Sequence, residues 1–444
     1  MVRHCRTMSA KDIAPGTQED RFAAYTQSLA QAAGHRDRHE PLKACCKGLL
    51  LPIERKSVEP MAARLAPDNV RQMHQSMHHL VADAPWKDED LLKKVREHAL
   101  PAMLRQSAVE AWVIDDTGFP KKGKHSVGVG HQYCGQLGKS DNCQVAVSLS
   151  VATRHSSLPV AWRLYLPKDW TQDRKRCNKA GIPKDVHFET KPEIALKQIQ
   201  DAVRQGIPAA PVLADAAYGS DSRLRKGITE LGLEYVVGVQ SSMSVWKPGE
   251  GPLPDKPGKA YGPDPLKGRS KEHHPASTKE VALSLPASAW TMVTWREGTQ
   301  NKLRSRFAAV RLRPAHRDYL LPEPYPVEWL LIEWPKDEPE PTKYWLSTLP
   351  EQISLKELVR IAKHRWVIER DYQELKQELG LGHYEGRGWR GFHHHATLCI
   401  AAYGFLVAER NRFSPSARVG NVGLRVPTFS KTFIPRGAVT TRTP

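Results

Sequence analysis

Apolar residues recur every three or four positions along the first quarter of the chain, as far as about residue 108. In the clearest case Val70, Met73 and Met77 lie on one face of a predicted helix. Four such helices are predicted, at 21–33, 60–65, 69–82 and 89–105. Arginine and glutamine share these helices, and both side chains can read the major groove of DNA. Residues 1–108 are therefore predicted to form a helical domain, either an ordinary bundle or a DNA-binding domain.

The pattern changes near Val109 to short apolar runs that are bounded by turn residues. Strands are predicted at 111–114, 142–153, 158–167, 211–214 and 235–240, and helices at 192–206 and 220–231. The order of three strands, helix, strand, helix and strand indicates an α/β domain. Residues 109–241 are predicted to be the first part of this core.

A compositionally distinct interval follows and is predicted to be an inserted, β-rich subdomain at 242–344. It begins with a loop rich in Pro, Gly and Lys at 241–278. Predicted strands follow at 290–295, 303–313, 328–334 and 343–349. Lys302, Arg304 and Arg306 alternate, so the strand places three cations on one face.

One long helix is predicted at 354–380, where the core resumes (345–411). Ser354 and Glu357 have the spacing of a capping box, and Gly380 supplies the C-terminal stop. The apolar stripe of this helix is interrupted by charge at Glu369, with Arg365 one turn before it and Lys376 two turns after it. Because unpaired buried charge is costly, either an internal ion network or a catalytic carboxylate would explain the interruption. The remaining residues, 412–444, form a basic tail that we expect to be poorly ordered.

Composition narrows the class of protein. The chain has 66 Lys and Arg against 48 Asp and Glu, a formal net charge of +18, which favours a polyanionic partner such as nucleic acid. Its seven cysteines form no CxxC pair, as expected for reduced thiols in a cytosol. No apolar run approaches the length of a membrane span, so a soluble, cytoplasmic protein is expected, without a membrane partner.

Three carboxylate positions stand out by their context. Asp115 and Asp116 follow the first predicted strand, Asp215 follows the fourth, and Glu369 lies on the last long helix. Strand ends that meet at one sheet edge, with a helix packed across it, would bring these groups together. Clustered carboxylates repel unless cations separate them, and hard oxygen ligands suit Mg²⁺ or Mn²⁺ better than Zn²⁺. Two such ions can drive phosphoryl transfer.

These residues carry a family resemblance. The stretches WVIDDTGFPKKG (112–123) and VLADAAYG (212–219), together with Arg365, Glu369 and Lys376, resemble the catalytic blocks of DDE transposases and retroviral integrases. The resemblance is closer still to bacterial insertion-sequence transposases that carry a β-strand insertion between the second Asp and the Glu. The family signature on the last helix has a Tyr where this chain has Ala362. The resemblance implies an RNase H-like catalytic core with a mixed five-stranded sheet.

Roles follow from the resemblance residue by residue. The Asp before Thr117 matches the first metal ligand, which favours Asp116 and gives Asp115 a supporting role on the opposite face of the strand, although the alternative stays open. Asp215 and Glu369 match the second and third ligands. Arg365 and Lys376 match positions that contact DNA phosphates. Further cations are candidates for DNA contact: Lys121, Lys122, Lys302, Arg304 and Arg306.

The implied activity is that of a bacterial DNA transposase near the nucleoid. It would bind the inverted repeats at the ends of its element, cleave the DNA with two Mg²⁺ ions (Mn²⁺ can substitute), and join the 3′-hydroxyls to target DNA. The assembly would be a homodimer or larger on double-stranded DNA. Two alternatives remain: an RNase H-like endonuclease without strand transfer, and a non-catalytic DNA-binding protein derived from a transposase.

Overall fold

The structure is a computed structural model that describes residues 16–253, 272–297, 302–318 and 321–413. Cys5, the central part of the predicted loop at 241–278 and nearly all of the predicted tail lie outside these residues. The described chain forms two compact units. Of the described residues, the first unit contains 16–106, 179–182 and 372–413, and the second contains those within 107–178 and 183–371.

Fourteen α-helices occur in the described residues. They are α1 (Gln18–Ala32), α2 (His39–Leu50), α3 (Val58–Leu65), α4 (Val70–Ala82), α5 (Asp88–Gln106), α6 (Lys168–Gln172), α7 (Arg174–Lys179), α8 (Lys191–Arg204), α9 (Ala216–Gly219), α10 (Ser222–Glu230), α11 (Thr278–Ser284), α12 (Leu355–His364), α13 (Val367–Gln373) and α14 (Trp389–Phe413). Each predicted N-terminal helix has a counterpart among them, whereas α2 was not predicted.

Twelve strands occur in the same residues. They are β1 (Val109–Pro120), β2 (Gly130–Cys134), β3 (Lys139–Thr153), β4 (Ser157–Leu164), β5 (Val212–Ala214), β6 (Tyr235–Val239), β7 (Ser244–Val245), β8 (Ala276–Ser277), β9 (Thr291–Glu297), β10 (Lys302–Leu312), β11 (Glu328–Trp334) and β12 (Lys343–Ser347). β7 and β8 pair with each other, and the other ten form one sheet.

The first unit is helical and has α14 as its central element. Apolar side chains all round this 25-residue helix are buried, and α5, α2 and α4 pack against it. Three consecutive histidines, His393, His394 and His395, lie within it, and all three rings are buried. His394 stacks on Trp86, with ring centroids 3.6 Å apart, and its Nδ1 and Nε2 lie 3.1 and 3.0 Å from the backbone carbonyl oxygens of Val81 and Trp86. Residues 372–413 thus fold with the N-terminal helices.

The second unit is built on the large mixed sheet. Five strands lie in the order β4-β3-β1-β5-β6, with β1, β5 and β6 mutually parallel and β3 and β4 antiparallel to their neighbours. These are the five strands predicted for the core, and their arrangement is consistent with an RNase H-like fold. Residues 143–153 of β3 are buried without interruption, as expected for a strand covered on both faces.

The strands of the predicted insertion add to this same sheet. β12 pairs with β6, and β11, β10 and β9 follow outward in antiparallel order. The predicted insertion boundary at residue 344 falls inside β12, which pairs directly with the core. With β2, which pairs with β3, the sheet therefore has ten strands where five were predicted for the core.

Two local predictions near the candidate site were wrong. β1 continues to Pro120, so Asp115 and Asp116 lie in the middle of a strand and not where a strand meets a turn. The single helix predicted at 354–380 is divided into α12, α13 and a π-helical turn, Glu374–Glu378. Ser354 does cap α12 by accepting a bond from the Glu357 amide, 3.2 Å away, and Gly380 takes the left-handed conformation (φ 68°) that ends the segment.

Two further findings bear on the expectations from composition. No described helix has the length and apolar character that crossing a membrane requires. The six cysteines in the described residues are all buried and free of disulfide bonds.

Candidate active site

Asp115 and Asp116 lie side by side on β1, and their side chains point to opposite faces of the sheet. Asp115 faces α12 and α13: its Oδ2 accepts a hydrogen bond from Nη1 of Arg365, 2.9 Å away. Its Oδ1 accepts a second bond from the backbone amide of Asp116. Asp115 thus has defined partners and is fixed within the sheet.

Arg365 stands among three carboxylates. It lies in the turn between α12 and α13, one helical turn before Glu369. Burial disfavours its charge, but attraction to Asp115, Asp215 and Glu369 outweighs burial, so the pKa of Arg365 is raised. One guanidinium therefore interacts with the two aspartates from the sheet and with the glutamate from the helix.

The carboxyl of Asp115 has a strongly altered proton affinity. Burial raises its pKa to about 7; the charge of Arg365 opposes the shift, and the nearby negative charge of Asp215 adds to it. A carboxyl that is buried close to a second carboxyl is typical of functional sites, where a cation then stabilises the ionised form.

Asp215 is fixed by the turn that follows β5. Its Oδ1 caps the short helix α9 by accepting bonds from the amides of Ala217 (2.9 Å) and Tyr218 (3.4 Å). This turn lies directly against β6. A Cβ on Gly238 would come within 2.8 Å of the Ala216 nitrogen and 3.1 Å of the Asp215 carbonyl carbon, and a Cβ on Gly219 would collide with the Gly238 carbonyl oxygen. Two glycines therefore permit the position of Asp215.

Asp215, Arg365 and Glu369 open into one pocket of about 290 Å³. Glu369, on the first turn of α13, is exposed there. The lining of this pocket also contains two lysines and three aromatic side chains: Lys343, Lys363, Tyr344, Trp345 and Trp366. The pocket combines carboxylates with cations, as a site that receives both a metal ion and a phosphate requires.

The opposite face of β1 has a different environment. Asp116 accepts hydrogen bonds at Oδ2 from Nζ of Lys191 (3.0 Å) and from the hydroxyl of Tyr218 (3.1 Å). Lys191 begins α8, which packs on β3 and β4. Tyr218 is nearly fully buried and belongs to the same short helix that Asp215 caps. Asp116 is thus connected to Asp215 through the backbone of α9 and not through the pocket.

The donor set suits a hard divalent cation. Asp115, Asp215 and Glu369 would supply only carboxylate oxygens, which Mg²⁺ and Mn²⁺ prefer. Within the described residues no three acidic, histidine or cysteine side chains already stand close enough to hold a metal ion together. The positive charge among the three carboxylates is that of Arg365, so a metal ion would take over charge compensation that the arginine supplies here.

The other predicted DNA contacts are dispersed. Lys122 is exposed beyond the end of β1, and Lys121 is half-buried there. Arg304 is exposed on β10, whereas the guanidinium of Arg306 lies 4.6 Å from the ring centre of Trp334. Lys302 begins β10, and Lys376 lies in the π-helical turn, in the first unit. Their contact with DNA stays a prediction.

Sequence reasoning did not identify Lys191, Tyr218, Gly219 or Gly238 as parts of the site. Tyr218 and Gly219 stand within the block VLADAAYG, so their nearness to Asp215 along the chain was a usable signal. Lys191 and Gly238 are distant along the chain from both aspartates. Only the pairing of strands and the packing of α8 place them beside the carboxylates.

Comparison with known proteins found a matching family model and a similar protein. The family model described as DDE superfamily endonuclease matches residues 28–302, which is more than half of the chain. The match includes Asp115, Asp116 and Asp215 and ends before Glu369. A protein of Microchaete diplosiphon, described as "Probable transposase for insertion sequence element IS701", is 31% identical over 204 residues, which is 46% of this chain. The aligned part is 49% of that relative, so the chain spans about half the length of the curated protein that it matches. The chain belongs to the DDE superfamily of endonucleases.

Proposed function

We propose that the chain is an insertion-sequence transposase that cleaves double-stranded DNA at the ends of its element and joins the freed 3′-hydroxyls to target DNA. The proposal rests mainly on the surroundings of Arg365: its charge interacts with Asp115, Asp215 and Glu369 beside an open pocket. Similarity to a protein described as a transposase supports the choice of strand transfer over hydrolysis alone.

We propose that Asp115, Asp215 and Glu369 are the three metal-binding carboxylates. Asp116 matches the family motif, but it points to the face occupied by Lys191 and Tyr218, whereas Asp115 shares its face with Arg365. Mg²⁺ or Mn²⁺ held by these carboxylates would lower the pKa of a nucleophilic water or hydroxyl and stabilise the leaving oxygen.

The chain's own residues position the DNA phosphate. Arg365 would exchange its bond to Asp115 for a bond to a phosphate oxygen once the charge of the carboxylates is compensated by bound cations. In the first step water attacks the phosphorus, the P–O3′ bond breaks, and a 3′-hydroxyl is released. In the second step that hydroxyl attacks a target phosphate, and the target's 3′-oxygen leaves. Two or more copies of the chain would hold both ends together.

The test uses a supercoiled plasmid that carries the coding region with its native flanking DNA. Asp215→Asn and Glu369→Gln should each abolish Mg²⁺-dependent cleavage and the joining of a pre-cleaved 3′-end, while DNA binding in EDTA is kept. Asp337→Asn and Glu351→Gln, at exposed sites of the same unit, are the controls and should retain activity.

The outcomes separate the functions. Full cleavage by both carboxylate variants overturns the metal site. Cleavage by the wild type without any joining replaces the transposase with an endonuclease. DNA binding without Mg²⁺-dependent cleavage leaves only a DNA-binding protein.

A further inference from the structure

Three short helices of the first unit form a compact group. α2, α3 and α4 pack against one another, and α2 and α4 also pack on α14. α3 and α4 are joined by residues 66–69, which include the 3₁₀ turn Pro67–Asn69. Two helices joined by a turn of this length, with a third helix behind them, have the connectivity of a helix-turn-helix unit.

The inner side of α4 packs within the first unit. Met77, Leu80 and Val81 are buried. The Leu80 carbonyl accepts a bond from the indole nitrogen of Trp86 (2.9 Å), and the Val81 carbonyl oxygen lies 3.1 Å from Nδ1 of His394 on α14. The C-terminal end of α4 is therefore anchored by side chains of its own unit, which fixes the orientation of the helix.

The outer side of α4 carries a polar set of side chains. Arg71, Gln72 and Gln75 are exposed on its first two turns, and His78 and His79 are exposed near its end. The helix contains no acidic residue, and Arg64, in the last turn of α3, is also exposed. This surface is basic and rich in amides.

The contacts of this surface differ along the helix. His78 and His79 lie 3.9 and 3.8 Å from Asp83, so the end of the helix has an acidic neighbour. Gln72 accepts a bond from Asn69. Among the described residues, the side chains of Arg71 and Gln75 have no hydrogen-bond or ion-pair partner. They stand one helical turn apart on the same face.

We propose that α4 is the helix that reads DNA sequence, with Arg71 and Gln75 contacting base edges in the major groove. The inference rests on the proposed function for its biological substrate, but it concerns binding and not cleavage. A guanidinium can bond a guanine, and a glutamine amide can bond an adenine, each through two hydrogen bonds. Residues in the first turns of a recognition helix are the ones that reach the bases. Arg64 adds a phosphate contact beside the groove.

The test is selection from a duplex DNA library with a randomised core, performed with the full chain in EDTA so that no cleavage occurs. The wild type should enrich a defined motif. Arg71→Ala/Gln75→Ala should bind the enriched duplex roughly ten- to hundredfold more weakly, with the loss confined to one or two base pairs. Gln31→Ala/Arg36→Ala, which changes two exposed side chains of the same unit, is the matched control and should bind like the wild type.

A second variant separates reading from charge. Arg71→Lys keeps the positive charge but loses the two-pronged geometry, so it should retain non-specific binding and lose discrimination at one base pair. The proposal is overturned if the wild type enriches no motif, or if the Arg71 and Gln75 variants keep its base preferences. Motif binding that depends on α4, in a chain that shows no Mg²⁺-dependent cleavage, would overturn the proposed function and leave this inference standing.

Discussion

Two adjacent aspartates on β1 occupy contrasting environments. On one face Asp115 meets a single arginine that also interacts with two other carboxylates, beside an open pocket. On the other face Asp116 is held by a lysine and a tyrosine hydroxyl, and Tyr218 is nearly fully buried. The first environment places three carboxyl groups around the guanidinium of one arginine. The second balances one carboxylate with two donors of its own.

The difference indicates how a strand can divide catalysis from support. A charge cluster that depends on one arginine is suited to exchange that cation for a metal ion and a phosphate. A carboxylate with dedicated donors is suited to hold its neighbours in place. We therefore regard the Asp115 face as the catalytic side and the Asp116 face as the supporting side.

The largest expected effect distinguishes the two aspartates directly. Asp115→Asn removes a charge from the carboxylate cluster and should lower the rate of Mg²⁺-dependent cleavage by roughly a thousandfold or more, an effect of about 4 kcal/mol on the barrier. Asp116→Asn keeps an acceptor for Lys191 and Tyr218 and should lower the rate by about tenfold at most. Single-turnover cleavage of the same plasmid measures both.

If the two variants rank in the opposite order of cleavage rate, the catalytic and supporting roles of the two faces are reversed. If Asp116→Asn abolishes cleavage and Asp115→Asn does not, the family motif assigns the first ligand correctly and Asp115 is the supporting residue.

The second prediction concerns the position of Asp215. In Gly238→Ala the new methyl group would overlap the Asp215 turn, so that turn must move away from β6. Because a displacement of about 1 Å at a catalytic group can cost on the order of a hundredfold, cleavage should fall ten- to a hundredfold. Gly135→Ala, at a glycine with open space around its Cβ position, is the control and should cleave normally. Wild-type activity in Gly238→Ala would show that close packing at β6 does not position Asp215.

The sequence predicted the strands of the core, but not the length of β1 or the break in the long helix. The core strands were predicted because apolar runs and turn residues mark them, and Asp215 directly follows one of them. Glu369 was singled out because its charge interrupts the apolar stripe of a predicted helix. The full length of β1 was not predicted. Its second half, Asp115 to Pro120, pairs with β3 but is not a continuous apolar run, so the apolar pattern did not mark it as a strand. Which aspartate faces α12 depends on that extension. Nothing in the residue types at 365–366 marks the break between α12 and α13.

The third prediction tests the cation on the catalytic face. Arg365→Met leaves Asp115 near Asp215 and Glu369 without its compensating charge, so the chain in EDTA should lose about 1–3 kcal/mol of stability, less than a fully buried pair because these side chains are partly exposed. Mg²⁺ should then raise the melting temperature of the variant more than that of the wild type, since the ion binds the folded carboxylates.

The control for that measurement is a comparable ion pair away from the site. Arg163 and Glu189, 3.3 Å apart, are also partly exposed in the same unit, and Glu189 pairs with Lys197 as well, so the loss of stability should be smaller there. Arg163→Met should be destabilised without an added response to Mg²⁺. An equal Mg²⁺ response in both variants would contradict a metal site at Arg365.

The smallest expected effect tests the supporting face. Tyr218→Phe removes one hydrogen bond to Asp116 and should cost about 1 kcal/mol of stability, with a severalfold loss of kcat and little change in KM, because Asp215 lies on the same short helix. Tyr25→Phe removes a comparable buried hydroxyl from the first unit, where it bonds the Ala401 carbonyl, and should lose similar stability with no loss of kcat. If Tyr218 acts through Asp116, the effects of Tyr218→Phe and Asp116→Asn should not add in the double variant. Strict additivity would mean that the two residues act separately, and the Asp116 face would then be two independent contacts instead of one support for Asp215.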